Sequence, residues 1–390
     1  MPWVVATVLI GTGAALVVVS EMDAHNAAFV PPPVELRVAI SPADASTGVV
    51  PAEPIRVDVM GGTLADVAVT SEDGKVLPGG LSTDGQTWLA TQKPAFGTTY
   101  RLTATGIGET GPQPISSTFT TVAPKRLVKA TSNIGDGDVV GVAAPIEIRF
   151  DRRIPEADRA AAEKALAVQT SVPVTGSWGW LPDNDWETGS RVHWRPATYW
   201  PAGTTVTVMA DTRGVDLGAA GFGSNDLGTT FSIGRSQIVK ADVTSHRMVV
   251  VRDGQVVSDL PASYGLEADA RRVTRNGTHI VMSKSPSVLM TNPTFDYENV
   301  LMHWAVRISN NGEFIHANPA SGWAQGRSNV THGCVNLSTA NARAYYDTAI
   351  YGDPVEVTGS TVPMTRADGD VYDWAIPWEQ WQTMSALDDK

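Results

Sequence analysis

The sequence predicts a mainly β protein: two tandem β-sandwiches, a third β-sandwich unit that carries the chemistry, and a short tryptophan-rich tail. Three observations predict it. Short runs alternate apolar and polar residues, which puts every second side chain on one buried face of a strand. Turn-forming pairs such as Asp73-Gly74 and Asp84-Gly85 separate these runs at the close spacing of an antiparallel sandwich. Motifs of the first unit recur in the second, and composition changes after Ser236.

The chain of 390 residues is long enough for two or three domains, with 42% hydrophobic and 18% charged residues. Lys and Arg number 29 against 41 Asp and Glu, a net charge of -12. That balance argues against nucleic acid, which is bound by clustered cations. A single cysteine forms no disulfide within the chain.

From Pro2 to Ser20 the chain has no charged residue and reads PWVVATVLIGTGAALVVVS. At 1.5 Å per residue such a helix spans roughly 28 Å, close to a bilayer core of ~30 Å. The acidic flank Glu21-Met22-Asp23 suits the outer side of a positive-inside membrane. The run is an uncleaved anchor or a cleaved signal, and both readings export the rest of the chain. Pro31-Pro32-Pro33 is a stiff spacer.

Between Leu36 and Val122 the strands include Ile55–Val59, Tyr100–Ala104 and Ser117–Thr121. Pro54-Ile55-Arg56-Val57 is echoed by Pro145-Ile146-Glu147-Ile148, and Thr118-Phe119-Thr120 by Thr230-Phe231-Ser232. Trp88 lies nine residues before Gly97-Thr98-Thr99, as Trp194 does before Gly203-Thr204-Thr205. The second copy carries insertions, one of which, Pro155 to Val168, has the spacing of a helix. The tryptophans from Trp178 to Trp186 read as packing or as a carbohydrate-stacking platform.

In the third unit, Asp253-Gly254 joins two strands as a hairpin. Thr278–Met282, Trp304–Ile308 and Gly312–His316 read as further strands, and polar Ser285 to Glu298 as a mobile loop. The predicted organisation is a membrane anchor or signal segment over 1–20, a linker over 21–35, sandwiches over 36–123 and 124–235, a catalytic unit over 236–360 and a tail over 361–390.

The decisive residues are His316 and Thr331-His332-Gly333-Cys334-Val335-Asn336. Three readings compete. Cys334 is a buried apolar side chain; or His316, His332 and Cys334 bind zinc with His303 or water; or Cys334 is a nucleophile with a histidine base. A neighbouring imidazole favours the attacking thiolate, and Gly333 lets backbone amides turn toward an oxyanion.

A histidine, a gap of 15 residues and then Thr-His-Gly-Cys-Val-Asn resembles the signature of the YkuD-type L,D-transpeptidases. The resemblance covers Ile238 to Val357 and extends to actinobacterial members with two immunoglobulin-like domains ahead of the catalytic one. Gly61–Asp66, Gly214–Gly218 and the tail Asp373–Trp381 resemble theirs, and in the family the tail packs on the catalytic domain. What this implies is a peptidoglycan cross-linking enzyme that needs no cofactor and no metal. Cys334 attacks a tetrapeptide donor stem at its third residue and releases D-alanine. The diaminopimelate amine of an acceptor stem resolves the thioester into a 3→3 link.

The resemblance makes His316 the general base, oriented by the Ala317 carbonyl. It assigns His332 and Gly333 to the oxyanion hole with their backbone amides, and His332 also to positioning the acceptor. Asn336 holds the loop. Thr331, Asn336, Tyr297 on a flap, and Trp304 are the expected substrate-binding residues. Carbapenem β-lactams are expected to acylate the thiol. The segment Val273–Gly277 departs from the family's frequent Thr-Pro-x-Gly form. L,D-carboxypeptidase activity, attachment of a protein to the wall, and a zinc- or wall-binding structural module remain open.

Overall fold

The computed structural model describes residues 34–183, 188–366 and 371–387. The apolar run Pro2 to Ser20 and most of the linker lie outside these residues, as does Trp186. Among the described residues no helix is long and apolar enough to cross a membrane.

Alternation builds the first sandwich as the sequence predicts. In the strand Arg56–Met60, Val57 and Val59 are buried and Arg56 and Met60 exposed. One sheet runs Arg37–Ser41, Arg56–Met60, Thr87–Ala90, Gly79–Leu81; the other runs Ser46–Val49, Gly111–Thr121, Thr99–Gly108, Gly62–Ser71. Their inner faces close on Trp88, Leu102 and Phe119. The second sandwich repeats the plan, with Ile146–Phe150 and Ser190–Pro196 central in one sheet and Leu227–Ile233 and Thr205–Ala210 in the other.

One device recurs that the sequence comparison did not reveal. Gly79 sits beneath the Trp88 indole and Gly176 beneath that of Trp194; a Cβ on either glycine would lie 2.0 Å from the ring. In both cases the glycine pairs with the residue two after the tryptophan. The rings therefore lie flat on the neighbouring strand, where only glycine leaves room.

The helix expected over Pro155 to Val168 is shorter. A 3₁₀ turn at Glu156–Asp158 leads into Arg159–Lys164, and Leu166–Thr170 is a strand paired with Thr205–Ala210. Sheet pairing outweighs local helix propensity there. Trp178 and Trp180 are buried in the second core, so these rings pack and present no stacking platform.

The third unit is again two sheets. A five-stranded sheet runs Gln255–Pro261, Arg247–Arg252, Gln237–Asp242, Pro354–Thr358, Gly277–Ile280. Asp253 and Gly254 both have positive φ (49° and 81°), the two-residue hairpin turn that their pairing predicts. The second sheet runs Ser283–Asn292, Tyr297–Arg307, Phe314–Ala317, Val335–Leu337. The helix Thr339–Thr348, capped by Ser338, closes the core over it. The loop expected over Ser285 to Glu298 is instead a long β-ribbon, with Leu289 opposite Leu301 and only a 3₁₀ tip at Pro293–Phe295. Cross-strand apolar pairs hold it in register despite its polar composition.

The tail does more than expected. Its tryptophans dock on the second sandwich, while its first residues and its 3₁₀ turn at Asp373–Ala375 meet the catalytic unit. The strand Ser190–Pro196 is buried along its whole length because the tail covers its outer side. Arg195 lies under three tail rings, Trp374, Trp378 and Trp381, at 4.8, 5.3 and 4.9 Å. Trp381 is fully buried and donates to the Ser177 carbonyl, 3.0 Å. His193 bridges Glu147 and tail Asp373 at 2.9 and 2.8 Å. The polar residues of that strand thus select the tail, which also meets the catalytic unit: Met364 pairs with Asn276, Thr361 donates to Glu267, and the turn at Asp373–Ala375 packs against Gly277–Ile280. The second sandwich itself is tied to the catalytic unit: Arg235 binds Asp353 with both guanidinium nitrogens, 2.9 and 2.7 Å, and Asn133 donates to the Tyr351 hydroxyl.

Candidate active site

His316 lies in the strand Phe314–Ala317, and Cys334 immediately precedes the strand Val335–Leu337. The two strands are parallel, with His316 opposite Asn336. Ile315, Ala317, Val335 and Leu337 all enter the core. By strand alternation His316 and Asn336 point to the other face, and Cys334, two residues before Asn336, falls on that same side.

The His316 ring is 2% exposed. Its Nδ1 donates to the Ala317 carbonyl at 2.9 Å, since a carbonyl only accepts. That fixes the tautomer and leaves Nε2 with its lone pair. Burial pulls the imidazole below its ordinary value, with the Ala317 carbonyl acting the other way.

Cys334 is partly open to solvent but densely surrounded. Burial pushes its thiol up to about 12, opposed by the Phe314 amide, reinforced by Glu313 and opposed again by Arg307. Its Sγ lies 3.7 Å from the Gly312 carbonyl. Both shifts favour the neutral forms, thiol and imidazole, over thiolate and imidazolium.

The loop is held from behind. Gly333 has φ 112°, a region that side chains strain to reach. Its carbonyl accepts from the Thr274 hydroxyl at 2.9 Å, and Thr274 in turn accepts from the Gly265 amide. Because the peptide is planar and trans, pinning that carbonyl turns the Cys334 amide to the opposite side. The Cys334 carbonyl is gripped by Thr331 Oγ1 at 2.9 Å and Asn336 Nδ2 at 2.8 Å.

Thr331 and Asn336 are consequently buried and committed to the loop, which corrects their expected contact with substrate. Trp304 is half-buried and leans on the helix. A bulge with φ 54° turns it onto the helix Thr339–Thr348, where it meets Tyr346 edge-on at 5.4 Å and Arg343 at 5.0 Å. Tyr297 stays near the site: burial raises its phenol, with the Cys334 charge next. The exposed His332 ring packs between Tyr297 and Phe295 of the ribbon tip, at 5.4 and 4.8 Å. Burial, then Arg272, lowers its imidazole, and Asp269 opposes them.

Among the described residues no group of three or more His, Cys, Asp or Glu is placed to hold a metal ion. The structure does not assemble His316, His332, Cys334 and His303 into a zinc site. Sequence reasoning missed Thr274, Arg272 and Glu313. Arg272 donates to the carbonyls of Val330 and Thr331, and Glu313 packs beneath Gly333. Of the three, only Thr274 falls within the departing segment Val273–Gly277.

Comparison with known proteins gives the family. Residues 236–357 match the L,D-transpeptidase catalytic domain, and 46–216 match a bacterial Ig domain. The chain is 50% identical over 358 residues to L,D-transpeptidase 5 of Mycobacterium tuberculosis (strain ATCC 25618 / H37Rv), covering 91% of this chain and 78% of that protein. The chain belongs to the L,D-transpeptidase family. It is also 38% identical over 360 residues to L,D-transpeptidase 2 of M. tuberculosis (strain CDC 1551 / Oshkosh), covering 90% and 85%. A solved L,D-transpeptidase from Mycobacterium smegmatis is 30% identical with TM-score 0.47, covering 60% of this chain and 99% of that one. Another, solved in complex with imipenem, is 33% identical with TM-score 0.49, covering 59% and 98%. This L,D-transpeptidase is thus an Ig-like domain region followed by an enzyme domain.

Proposed function

We propose that this L,D-transpeptidase makes 3→3 cross-links between peptidoglycan stems, with Cys334 as nucleophile and His316 as base. The observation that carries the reading is the fixed His316 tautomer, with Nε2 free on the face that Cys334 shares. With burial favouring a neutral pair, the thiol proton passes to Nε2 as sulfur attacks the carbonyl of the third stem residue. The backbone amides of His332, Gly333 and Cys334 receive the oxyanion. The tetrahedral intermediate collapses to a thioester, and His316 returns the proton to the departing D-alanine amine. The diaminopimelate amine of a second stem then attacks, gives its proton to His316, and releases the Cys334 thiol. Tyr297 and the His332 ring shape the acceptor side.

The run Pro2 to Ser20 tethers the enzyme outside the plasma membrane, and two sandwiches, 36–123 and 124–235, carry the catalytic domain 236–360 toward its polymer. Carbapenems open on the same thiol, so intact mass should rise by one carbapenem in the native chain and not in Cys334→Ala.

The direct test of the mechanism is to trap the acyl-enzyme. A disaccharide-tetrapeptide whose diaminopimelate amine is acetylated should leave its mass, less D-alanine, on the Cys334 peptide. A donor consumed without any such adduct would sink the thioester route. Tripeptide release without dimer, using unblocked substrate, would instead favour hydrolysis.

A further inference from the structure

Reactive cysteines ordinarily sit in electropositive surroundings. Here the opposite charge is built in. Glu313 is 2% exposed, and its side chain lies under the active-site loop, with Cγ 3.5 Å from where a Gly333 Cβ would stand. Its neighbours in sequence both reach the sulfur: the Gly312 carbonyl lies 3.7 Å from Sγ, and the Phe314 amide bonds to it. Both carboxylate oxygens accept hydrogen bonds, Oε1 from the Arg275 amide at 2.8 Å and Oε2 from the Ser309 hydroxyl at 2.6 Å. That acceptor-only pattern is the one an ionised carboxylate makes. Behind it stands fully buried His279, whose Nε2 donates to the Arg275 carbonyl at 2.8 Å. Its Nδ1 has no hydrogen-bond partner and faces Oε2 at 3.9 Å.

We propose that Glu313 is a positioning residue that keeps the proton on Cys334 until substrate is bound, through a buried negative charge held by the Ser309 hydroxyl and the Arg275 amide. Thiolate then forms only as the proton moves to His316, which limits oxidation and adventitious alkylation of a partly exposed thiol. The inference rests on Cys334 being the nucleophile, but its test needs no substrate. Besides Glu313, the charged or titratable groups about Cys334 are Arg307, which favours the thiolate, Tyr297, its base His316, and His279 against Glu313.

Cys334 is the sole cysteine, so its reaction with iodoacetamide reports this thiol alone. In the native chain the rate-versus-pH midpoint should lie above the ordinary thiol value of about 8.5. Glu313→Gln should move it down by on the order of one pH unit, raising the rate severalfold below the midpoint, since lower basicity also weakens the nucleophile. Ser309→Ala, which keeps the charge and loses one hydrogen bond, should lower the melting temperature and leave the midpoint in place. An unmoved midpoint in folded Glu313→Gln, or an equal shift in Ser309→Ala, would reduce Glu313 to packing. If Glu313→Gln does not fold, a native midpoint at or below 8.5 overturns the proposal by itself.

Discussion

The His316 imidazole donates its Nδ1 proton to the carbonyl of its own neighbour Ala317, 2.9 Å away, and so depends on no side chain for its tautomer. The orienting group is backbone within a parallel strand pair, which mutation of residue 317 leaves in place.

That contact and the burial of the ring set a pH profile. His316 stays neutral to more acid pH than a free histidine, whose value is 6.5. A depressed histidine contributes stability fully above 6.5 and loses it as pH falls through the folded value, because the unfolded chain then binds the proton more readily. The acid limb of Cys334 acylation by a carbapenem should therefore have its midpoint below 6.5. A midpoint at or above it would contradict a buried neutral base. Replacing His316 by Gln should slow acylation by about 10²- to 10⁴-fold.

Gly333→Ala tests the loop. At φ 112° the new Cβ costs about 1–3 kcal/mol in backbone strain, while its contact with Glu313 at 3.5 Å is ordinary. Relaxing that strain rotates the peptide carrying the Cys334 amide. Acylation should fall by roughly 10²-fold, with a melting temperature only a few degrees lower. Near-native acylation would show that the turn is not needed to aim the amides.

The tail clamp has its own pH window. Burial alone would lower His193, but Asp373 and Glu147 outweigh it and raise it to about 9. Burial would likewise raise Glu147, but His193 and then Arg149 bring it to about 2. The histidine's contribution is complete below 6.5 and disappears as pH rises through about 9. The Glu147 contribution is complete above 4.5 and fades as pH falls toward about 2. Asp373→Asn should cost about 3–5 kcal/mol in a urea melt at pH 6 and distinctly less at pH 9.5. Equal losses at both would mean that the clamp is not ionic.

Much of the fold was legible because burial alternates along its strands, and Asp253-Gly254 announced its hairpin. Cys334 and His316 were legible because their chemistry leaves a local pattern. What failed was non-local. Ser285 to Glu298 reads as a loop until Leu289 finds Leu301. Arg191, His193 and Arg195 look solvent-facing until the tail covers them. Trp304 looked available to a ligand, but a positive φ and Tyr346 decide where it points. Glu313 and Thr274 matter only because tertiary contacts bring them under Gly333, and no spacing records that.

The central claim is that Cys334 transfers a stem peptide to an amine. The measurement is incubation of the chain from Val34 with purified disaccharide-tetrapeptide, followed by mass spectrometry of the products. A dimer lacking one D-alanine is expected, absent with Cys334→Ala. Unchanged tetrapeptide beside folded, unmodified enzyme, or a dimer that persists in Cys334→Ala, would contradict it.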